Sequence, residues 1–235
     1  MVALFNSLRP ELEIIHRRLV KETSLPRGLV SGFTWPALNE IDNDLLPALV
    51  LLSSHGQGYF GPRALSLAVV LQLIFLASLI HSQKGKQGVA LQTLIGDYFY
   101  TRFFDLLCRD GNLEFLETLS QLICHLHLEG AREQEKALTG RVTGGSGDPE
   151  KGPDRASLAL VATRLGSQLG KTAPWETRMW QEIGQLCGHL WSGKPVTPQS
   201  YQVLAGLPPG PARDGLGELF LFLTGQQPAK KVMAL

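Results

Sequence analysis

Apolar residues recur along most of the chain at the three- and four-residue spacing of an amphipathic helix. The first segment shows this spacing at Leu8, Leu12, Ile15 and Leu19. Charged residues fill its other faces, so we expect a helix that ends near Pro26. No segment shows a sustained period of two bounded by hairpin turn residues, which a surface strand requires. The pattern therefore predicts an all-α protein.

Further helices follow, separated by segments rich in glycine and proline. We expect one to begin near Pro47 and others to cover residues 64–80, 88–109, 112–126, 156–169, 174–190 and 216–223, with Asn112 as an N-cap. The predicted organisation is a single helical domain over residues 1–235. It contains a flexible Gly/Pro-rich loop at about 139–155 and an irregular segment at about 192–215.

Residues 64–80 carry no formal charge, so they raise the question of a membrane span. A spanning helix needs about 20 apolar residues, and this run is shorter and contains Ser66, Gln72 and Ser78. A helix that is surrounded by other helices gives the same pattern. We therefore expect a buried central helix and no membrane span.

Charge content narrows the class of protein. The 235 residues include 22 Lys and Arg against 21 Asp and Glu, and 18% of the residues are charged. Because a nucleic-acid-binding protein needs an excess of positive charge, this balance argues against one. Hydrophobic residues make up 44% of the chain, which is too apolar for disorder and leaves surface for a partner to cover.

The cysteines and the N-terminus bear on the compartment. Cys108, Cys124 and Cys187 are an odd number and have no metal-binding spacing. The N-terminus reaches charged residues before the apolar core of a signal peptide can form. We therefore expect a cytoplasmic protein with reduced thiols.

Two local patterns resemble a phosphate-binding loop and a metal site, but neither meets the requirements of such a site. The sequence from Gly166 to Thr172 resembles a phosphate-binding loop, but it has three residues between its glycines where the loop has four, and a helix precedes it. His125 and Glu129 can share a helix face, whereas His127 points to another side. Two ligands do not make a metal site, so we expect none.

Five segments, in this order, resemble the trans-isoprenyl diphosphate synthase (polyprenyl synthetase) family. They are a Pro-Ala-Leu-Val helix start at Pro47, an apolar helix ending Ala-Ser-Leu-Ile-His at His81, an aromatic Gly-Asp-Tyr helix at Gly96, the Ala-Ser-Leu sequence after Arg155, and the glycine pair Gly184 and Gly188. The resemblance runs from about residue 8 to residue 191. It implies an isoprenoid-synthase-like helical bundle that is truncated or degenerate in its C-terminal part.

The carboxylates of that family's chemistry are missing. Its enzymes ionise an allylic diphosphate with Mg²⁺ ions held by two DDxxD motifs. The position of the first motif is a degenerate aspartate motif made of Ser82, Gln83, Lys84, Gly85 and Lys86. The second is replaced by residues 192–198, which also contain no carboxylate. Asp97 of the Gly-Asp-Tyr sequence survives, and we expect it to make a structural hydrogen bond between helices.

The basic residues that hold the diphosphates in that family are lost as well. Its Gly-Gly-Lys-x-x-Arg-Pro pattern is replaced before Pro47 by Asn43, Asp44 and two leucines. At the Lys-Thr position before Ala156 this chain has Asp154 and Arg155. The packing helices are thus kept while the catalytic charges are not.

This combination implies a non-catalytic subunit. The chain resembles the small subunit, the component-one type, of heterodimeric heptaprenyl or hexaprenyl diphosphate synthases, which make the menaquinone side chain. The resemblance implies no catalytic residue, no metal and no cofactor here, with Mg²⁺ only in the partner. It implies a role in supporting the activity and the product chain length of a DDxxD-containing catalytic subunit.

The resemblance also places that partner on the helices at 64–81 and 88–107, whose equivalents form the dimer interface in family homodimers. Interfaces favour aromatic residues with few charges. The expected partner-facing residues are Phe75, Leu76, Leu94, Tyr98, Phe99 and Phe103. Packing there would shape the apolar tunnel into which the prenyl chain of the product grows. The alternative is that these residues fill the chain's own core.

Two other functions stay open. One is a stand-alone prenyl transferase that uses unusual residues, although no local carboxylate cluster exists for Mg²⁺. The other is a degenerate prenyl-synthase fold that acts alone as an isoprenoid-binding or scaffold protein.

Overall fold

A computed structural model describes residues 6–25, 33–83, 89–139, 152–170, 173–195 and 202–225. Its helices are α1 (Arg9–Glu22), α2 (Glu40–Gly56), α3 (Pro62–Ser82), α4 (Val89–Arg109), α5 (Leu116–Thr139), α6 (Arg155–Gln168), α7 (Pro174–Trp191), α8 (Gln202–Ala205) and α9 (Pro211–Leu223). No strand occurs in these ranges, so the prediction of an all-α protein is confirmed.

The uncharged segment forms α3, the centre of the bundle. α1, α2, α4 and α6 all pack against it. By length and composition, α3 is the one helix among the described residues that could cross a membrane, but 83% of its most apolar window is buried inside the protein. The expected buried central helix is therefore confirmed.

α2 begins at Glu40, well before its predicted start at Pro47. The Asn39 side chain accepts a hydrogen bond from the Asp42 amide at 2.8 Å, and the Asp42 carboxylate accepts one from the Asn39 amide at 3.4 Å. This reciprocal pair is a capping box, which satisfies two amides of the first turn. The predicted start was wrong because Pro47 lies inside the helix, whereas the capping residue Asn39 comes before its first turn.

The sequence predicted that the Asn112 side chain caps α5, but it makes no capping hydrogen bond. The Arg63 Nε instead donates to the Asn112 Oδ1 at 2.8 Å, which joins α3 to the turn before α5. Within the segment predicted to be irregular at 192–215, the described residues include α8 and the first turns of α9. Residues 196–201 of that segment lie outside the described residues. Residues 140–151 of the predicted loop lie outside the described residues.

Two glycines allow α6 and α7 to pack closely. A Cβ added at Gly184 would overlap the Thr163 side chain and the Ala159 carbonyl, and one added at Gly188 would overlap the backbone at Arg155. The two helices are antiparallel, since the later glycine meets the start of α6. This packing brings the first turn of α6 against the last turn of α7.

Candidate functional site

A polar cluster lies where α2 and α6 begin and α7 ends. The Asp42 Oδ1 accepts hydrogen bonds from the Arg155 Nη2 at 3.0 Å and from the Trp191 Nε1 at 2.8 Å. The guanidinium of Arg155 also lies 4.9 Å from the centre of the Trp191 ring. The side chain of Asp42 is 7% exposed and that of Arg155 30%. We call these three residues the Asp42 cluster.

The surrounding helices hold the Asp42 cluster in place. The capping box with Asn39 fixes the Asp42 carboxylate in the first turn of α2. The fully buried Gln72 of α3 donates from its Nε2 to the Asp42 carbonyl at 2.7 Å. The Phe75 ring packs 5.0 Å from the Trp191 ring. Four helices therefore contribute side chains to a single packed unit.

These residues do not fit a Mg²⁺–diphosphate centre. Magnesium takes carboxylate oxygens that are free to coordinate it. Both oxygens of Asp42 already accept hydrogen bonds, from Arg155 and Trp191 on one side and from the Asn39 amide on the other. Across the described ranges, no group of three or more His, Cys, Asp or Glu side chains is placed to hold a metal ion.

The degenerate aspartate motif begins at the end of α3. The Ser82 hydroxyl donates to the Leu79 carbonyl at 2.8 Å, and the Gln83 amide donates to the Ile80 carbonyl at 3.3 Å. Both residues therefore serve to end the helix. Lys84, Gly85 and Lys86 lie outside the described residues.

A ring cluster joins α3, α4 and α5 beside this helix end. The His81 ring stacks on the Tyr100 ring at 5.7 Å and meets the His127 ring at 5.3 Å. Burial lowers the pKa of His81, and the nearby His127 lowers it further against the opposing effect of Asp97. Burial also raises the pKa of Tyr100, whose hydroxyl lies 3.2 Å from the Ser78 hydroxyl. Both rings therefore favour their uncharged forms.

Asp97 makes an electrostatic contact across this cluster. Its Oδ1 lies 3.4 Å from the His81 Nε2, but the geometry is not that of a hydrogen bond, and the buried Nε2 has no hydrogen-bond partner. The expected hydrogen bond between helices is thus replaced by a looser contact between α4 and α3. Nothing in it resembles a metal ligand set.

The two histidines of α5 point in different directions, as their spacing predicts. The His125 Nε2 lies 3.1 Å from the Asp154 Oδ2, in front of α6. His127 instead contacts the rings of His81 and Tyr100. Burial opposes ionisation of Asp154, but hydrogen bonds from Ser157, His125 and the backbone hold its pKa below the usual value.

The six predicted partner-facing residues divide into two groups. Four of them, Phe75, Leu76, Phe99 and Phe103, are buried in the chain's own core, at 4% exposure or less. Trp35 stacks on Phe99 at 5.9 Å, so part of α4 is covered by the chain itself. Leu94 is 61% exposed and Tyr98 is half-buried. Only these last two have surface left for a partner.

The exposed side of α4 shares only Leu94 with the six predicted residues. We call it the outer face of α4, and it consists of Leu94, Asp97, Thr101, Phe104 and Cys108. Their spacing of three and four places them on one stripe of the helix. Leu94 is 61% and Phe104 is 46% exposed. Sequence reasoning located the helix but missed Phe104, because composition does not tell which face is buried.

The Asp42 cluster was also missed. The sequence drew attention to Arg155, but not to its pairing with a residue 113 positions earlier. The available signal was the Asn39 and Asp42 spacing of a capping box, which predicts where α2 starts and hence which end of α2 Asp42 occupies.

Comparison with known proteins gives a partial sequence match. No known protein-family profile matches the chain. Octaprenyl diphosphate synthase of Escherichia coli (strain K12) is 29% identical over 91 residues, which cover 33% of this chain and 28% of that enzyme. The same match is found for the enzyme of Shigella flexneri. The matched segment therefore spans less than a third of these relatives.

Solved structures match over nearly the whole chain. A polyprenyl synthase from Caulobacter crescentus CB15, complexed with calcium and isoprenyl diphosphate, aligns with a TM-score of 0.73 at 13% identity, over 95% of this chain and 98% of that one. Geranylgeranyl pyrophosphate synthetase from Pyrococcus horikoshii Ot3 gives 0.71 at 15% identity with the same coverage.

A third structure is that of a heteromeric enzyme. A deletion mutant of the heterotetrameric geranyl pyrophosphate synthase of mint aligns with a TM-score of 0.60 at 17% identity, over 91% of this chain and 98% of that one. Together these similarities show that the chain has the isoprenyl diphosphate synthase fold.

Proposed function

We propose that this chain is a non-catalytic subunit of a heteromeric long-chain trans-polyprenyl diphosphate synthase. A separate subunit with both DDxxD motifs binds Mg²⁺ and performs the reaction, and this chain supports its activity and product length. The role belongs to the cytoplasmic biosynthesis of isoprenoid side chains such as that of menaquinone.

The Asp42 cluster carries this proposal. The chain has the fold of a synthase, yet the buried carboxylate at this end of the bundle is already paired with Arg155 and Trp191. The sequence offers no carboxylate at residues 82–86 or 192–198 to bind Mg²⁺ in its place. A chain of this kind keeps the packing of the fold without the electrostatic means to stabilise a leaving diphosphate.

The outer face of α4 supports a partner. Leu94 and Phe104 are large apolar residues with about half of their surface in water. A partner that covers them gains the free energy of removing apolar surface from water. The heterotetrameric synthase of mint, which shares the fold, is itself assembled from several chains.

Co-expression with a DDxxD-containing synthase from the same genome tests the proposal. We expect the two chains to purify together, and the products to be longer or more abundant than without this chain. The chain alone, given an allylic diphosphate, isopentenyl diphosphate and Mg²⁺, is expected to show no turnover. Turnover by the lone chain, or the absence of both a complex and any effect on products, would contradict the proposal.

Charged substitutions locate the interface within the same experiment. Phe104→Asp on the outer face of α4 is expected to weaken co-purification. Ile14→Asp on α1 is a matched control, because Ile14 is 42% and Phe104 46% exposed. Equal loss of the complex in both variants would place the interface elsewhere.

A further inference from the structure

The connections α2–α3, α4–α5 and α6–α7 meet at the end of the bundle opposite the Asp42 cluster. At the start of α3, the Arg63 Nε donates to the Asn112 Oδ1 of the α4–α5 connection at 2.8 Å. A Cβ added at Gly170, after α6, would overlap the Gln57 carbonyl, after α2. The three connections are therefore held against one another.

A large apolar side chain lies in or beside each of these connections. Phe60 lies between α2 and α3, Leu113 between α4 and α5, and Trp175 in the first turn of α7. They are 73%, 51% and 63% exposed, respectively. We call these three residues the apolar tip. Phe60 is the most exposed large apolar residue in the part of the chain that the structure describes.

The backbone fixes two of these three turns. Gly58 and Gly111 have φ values of 73° and 66°, a left-handed conformation that glycine adopts without strain. The Gly58 amide donates to the His55 carbonyl at 2.9 Å, and the Asn112 amide donates to the Leu107 carbonyl at 3.0 Å. Because both turns are hydrogen-bonded to the helices before them, little conformational entropy is lost when they meet a surface.

A cation without an ion pair lies beside the apolar tip. Arg178 is exposed one turn after Trp175, and no ion pair joins it to another residue of the described ranges. On the same connections, the Glu114 carboxylate pairs with Arg63, and the Glu176 carboxylate caps the start of α7. Because residues three apart share a helix face, Arg178 can reach a lipid phosphate while the Trp175 ring enters the apolar layer. The charge on this side of α7 thus complements a lipid headgroup.

We propose that the apolar tip docks on the surface of a lipid bilayer, with its three side chains at the boundary between headgroups and acyl chains. Tryptophan is enriched at that boundary, because its ring is apolar and its N–H is polar. Side chains that project from separate turns suit a flat, fluid surface, whereas a groove in a protein partner fits a continuous apolar stripe on one helix. The docking is peripheral and leaves α3 buried in the bundle. It is independent of the proposed function, because the apolar tip shares no residue with the outer face of α4.

Vesicle flotation of the whole chain tests the docking. We expect vesicles of phosphatidylcholine and phosphatidylglycerol to carry the wild type. Because insertion of one large apolar side chain contributes about tenfold in affinity, Phe60→Ser, Leu113→Ser and Trp175→Ser should each weaken binding by about that factor. Leu128→Ser on α5 is the matched control, since Leu128 is 58% and Leu113 51% exposed, and it should bind like the wild type. Failure of the wild type to float, or an equal loss in Leu128→Ser, overturns the proposal.

Tryptophan fluorescence reports on the apolar tip itself. Trp180 and Trp191 are buried, whereas Trp175 is 63% and Trp35 40% exposed. Vesicles should shift the emission to shorter wavelength, and brominated phosphatidylcholine should quench it. Trp175→Phe should remove most of this response, and Trp35→Phe should keep it. A response that depends on Trp35 and not on Trp175 overturns the proposal, because it places the lipid contact elsewhere.

The same substitutions separate a bilayer from a protein occupant. The triple variant with serine at all three positions of the apolar tip should stay folded by circular dichroism, since these side chains are exposed. It should lose flotation while its sedimentation and its co-purification with a DDxxD-containing subunit stay unchanged. Unchanged flotation with lost self-association, or with lost co-purification, overturns the proposal in favour of a protein interface. If the triple variant is unfolded, the three single variants supply the same comparison.

Discussion

The Asp42 cluster and the outer face of α4 differ in what their side chains leave unsatisfied. In the Asp42 cluster, a guanidinium and an indole both donate to one carboxylate inside the bundle, and only the Arg155 Nε of these donors and acceptors is recorded without a partner. On the outer face of α4, Leu94 and Phe104 stand in water without apolar neighbours to cover them fully. The charged groups of the Asp42 cluster are thus paired with one another, whereas the outer face of α4 has apolar surface in water that a partner can cover.

This difference concerns how much free energy each region can still contribute to binding. A buried ion pair stabilises the fold only modestly, because desolvation of its charges offsets their attraction. Apolar surface, in contrast, contributes about 25 cal/mol for each Å² that a partner covers. Under the proposed function, the partner therefore gains more free energy at the outer face of α4 than at the Asp42 cluster.

The largest expected change in unfolding free energy is for a residue on the buried side of α4, compared with its neighbour on the outer face. Phe103 is fully buried, whereas the next residue, Phe104, is 46% exposed. Phe103→Ala should cost about 3–5 kcal/mol of unfolding free energy, because it leaves a cavity in the core. Phe104→Ala should cost less than about 1 kcal/mol, since much of the ring is already in water. Urea unfolding measures both, and equal losses would show that the outer face is not a free surface.

The next effect tests whether the Asp42 cluster is closed. Arg155→Gln leaves the Asp42 carboxylate buried without its counter-charge, and we expect a loss of about 3 kcal/mol, the low end of the range because Arg155 is 30% exposed. Adding Asp42→Asn should restore part of that loss. The exposed pair of Arg9 and Glu13 is the control, and Arg9→Gln should cost less than about 0.5 kcal/mol. Additive losses in the Asp42 double variant would deny the coupling.

The helices could be read from the sequence because they depend on local periodicity. The buried α3 followed from its lack of charge, and its length was predicted to within two residues at either end. Helix starts were less predictable, as at α2, because both Pro47 and the Asn39 cap are plausible signals for an N-terminus. Local patterns thus gave the elements but not all of their limits.

The functional regions depend on contacts between distant segments, and these were predictable only in part. The pairing of Asp42 with Arg155 and Trp191 needs the packing of α2, α6 and α7, which no local pattern encodes. The position of Phe99 and Phe103 inside the core depends likewise on the rotation of α4 against α3. The fold could be recognised from ordered motifs, whereas the surface left free could not.

The Asp42 cluster depends on the close packing of α6 against α7 at Gly184. Gly184→Ala places a methyl group against the Thr163 side chain and the Ala159 carbonyl, so α7 must move away from α6. We expect a loss of about 1–3 kcal/mol, and weaker contact of Trp191 with Asp42, seen as a change in tryptophan fluorescence. Gly217→Ala in α9 is the control, because a Cβ there has open space. That variant should be neutral or slightly more stable, and an equal loss in both would deny the role of close packing.

The smallest effect contrasts Asp42 with Asp44, two carboxylates in the same turn of α2. The Asp44 Oδ1 lies 2.7 Å from the His16 Nε2, and both side chains are partly in water. The adjacent Asp44 carboxylate raises the pKa of His16 above its usual value, against the opposing effect of burial. A raised pKa in the folded state means that the stabilisation is fully present below the unfolded pKa of about 6.5 and is lost as the pH rises through the folded value.

The wild type should therefore exceed His16→Gln in stability by about 0.5 kcal/mol near pH 5.5 and by less near pH 8.5, a small value because His16 is 43% exposed. Thermal unfolding at both pH values measures the difference. In the Asp44→Asn background, the effect of His16→Gln should no longer depend on pH. A stability difference between wild type and His16→Gln that grows toward high pH would contradict the pairing of His16 with Asp44.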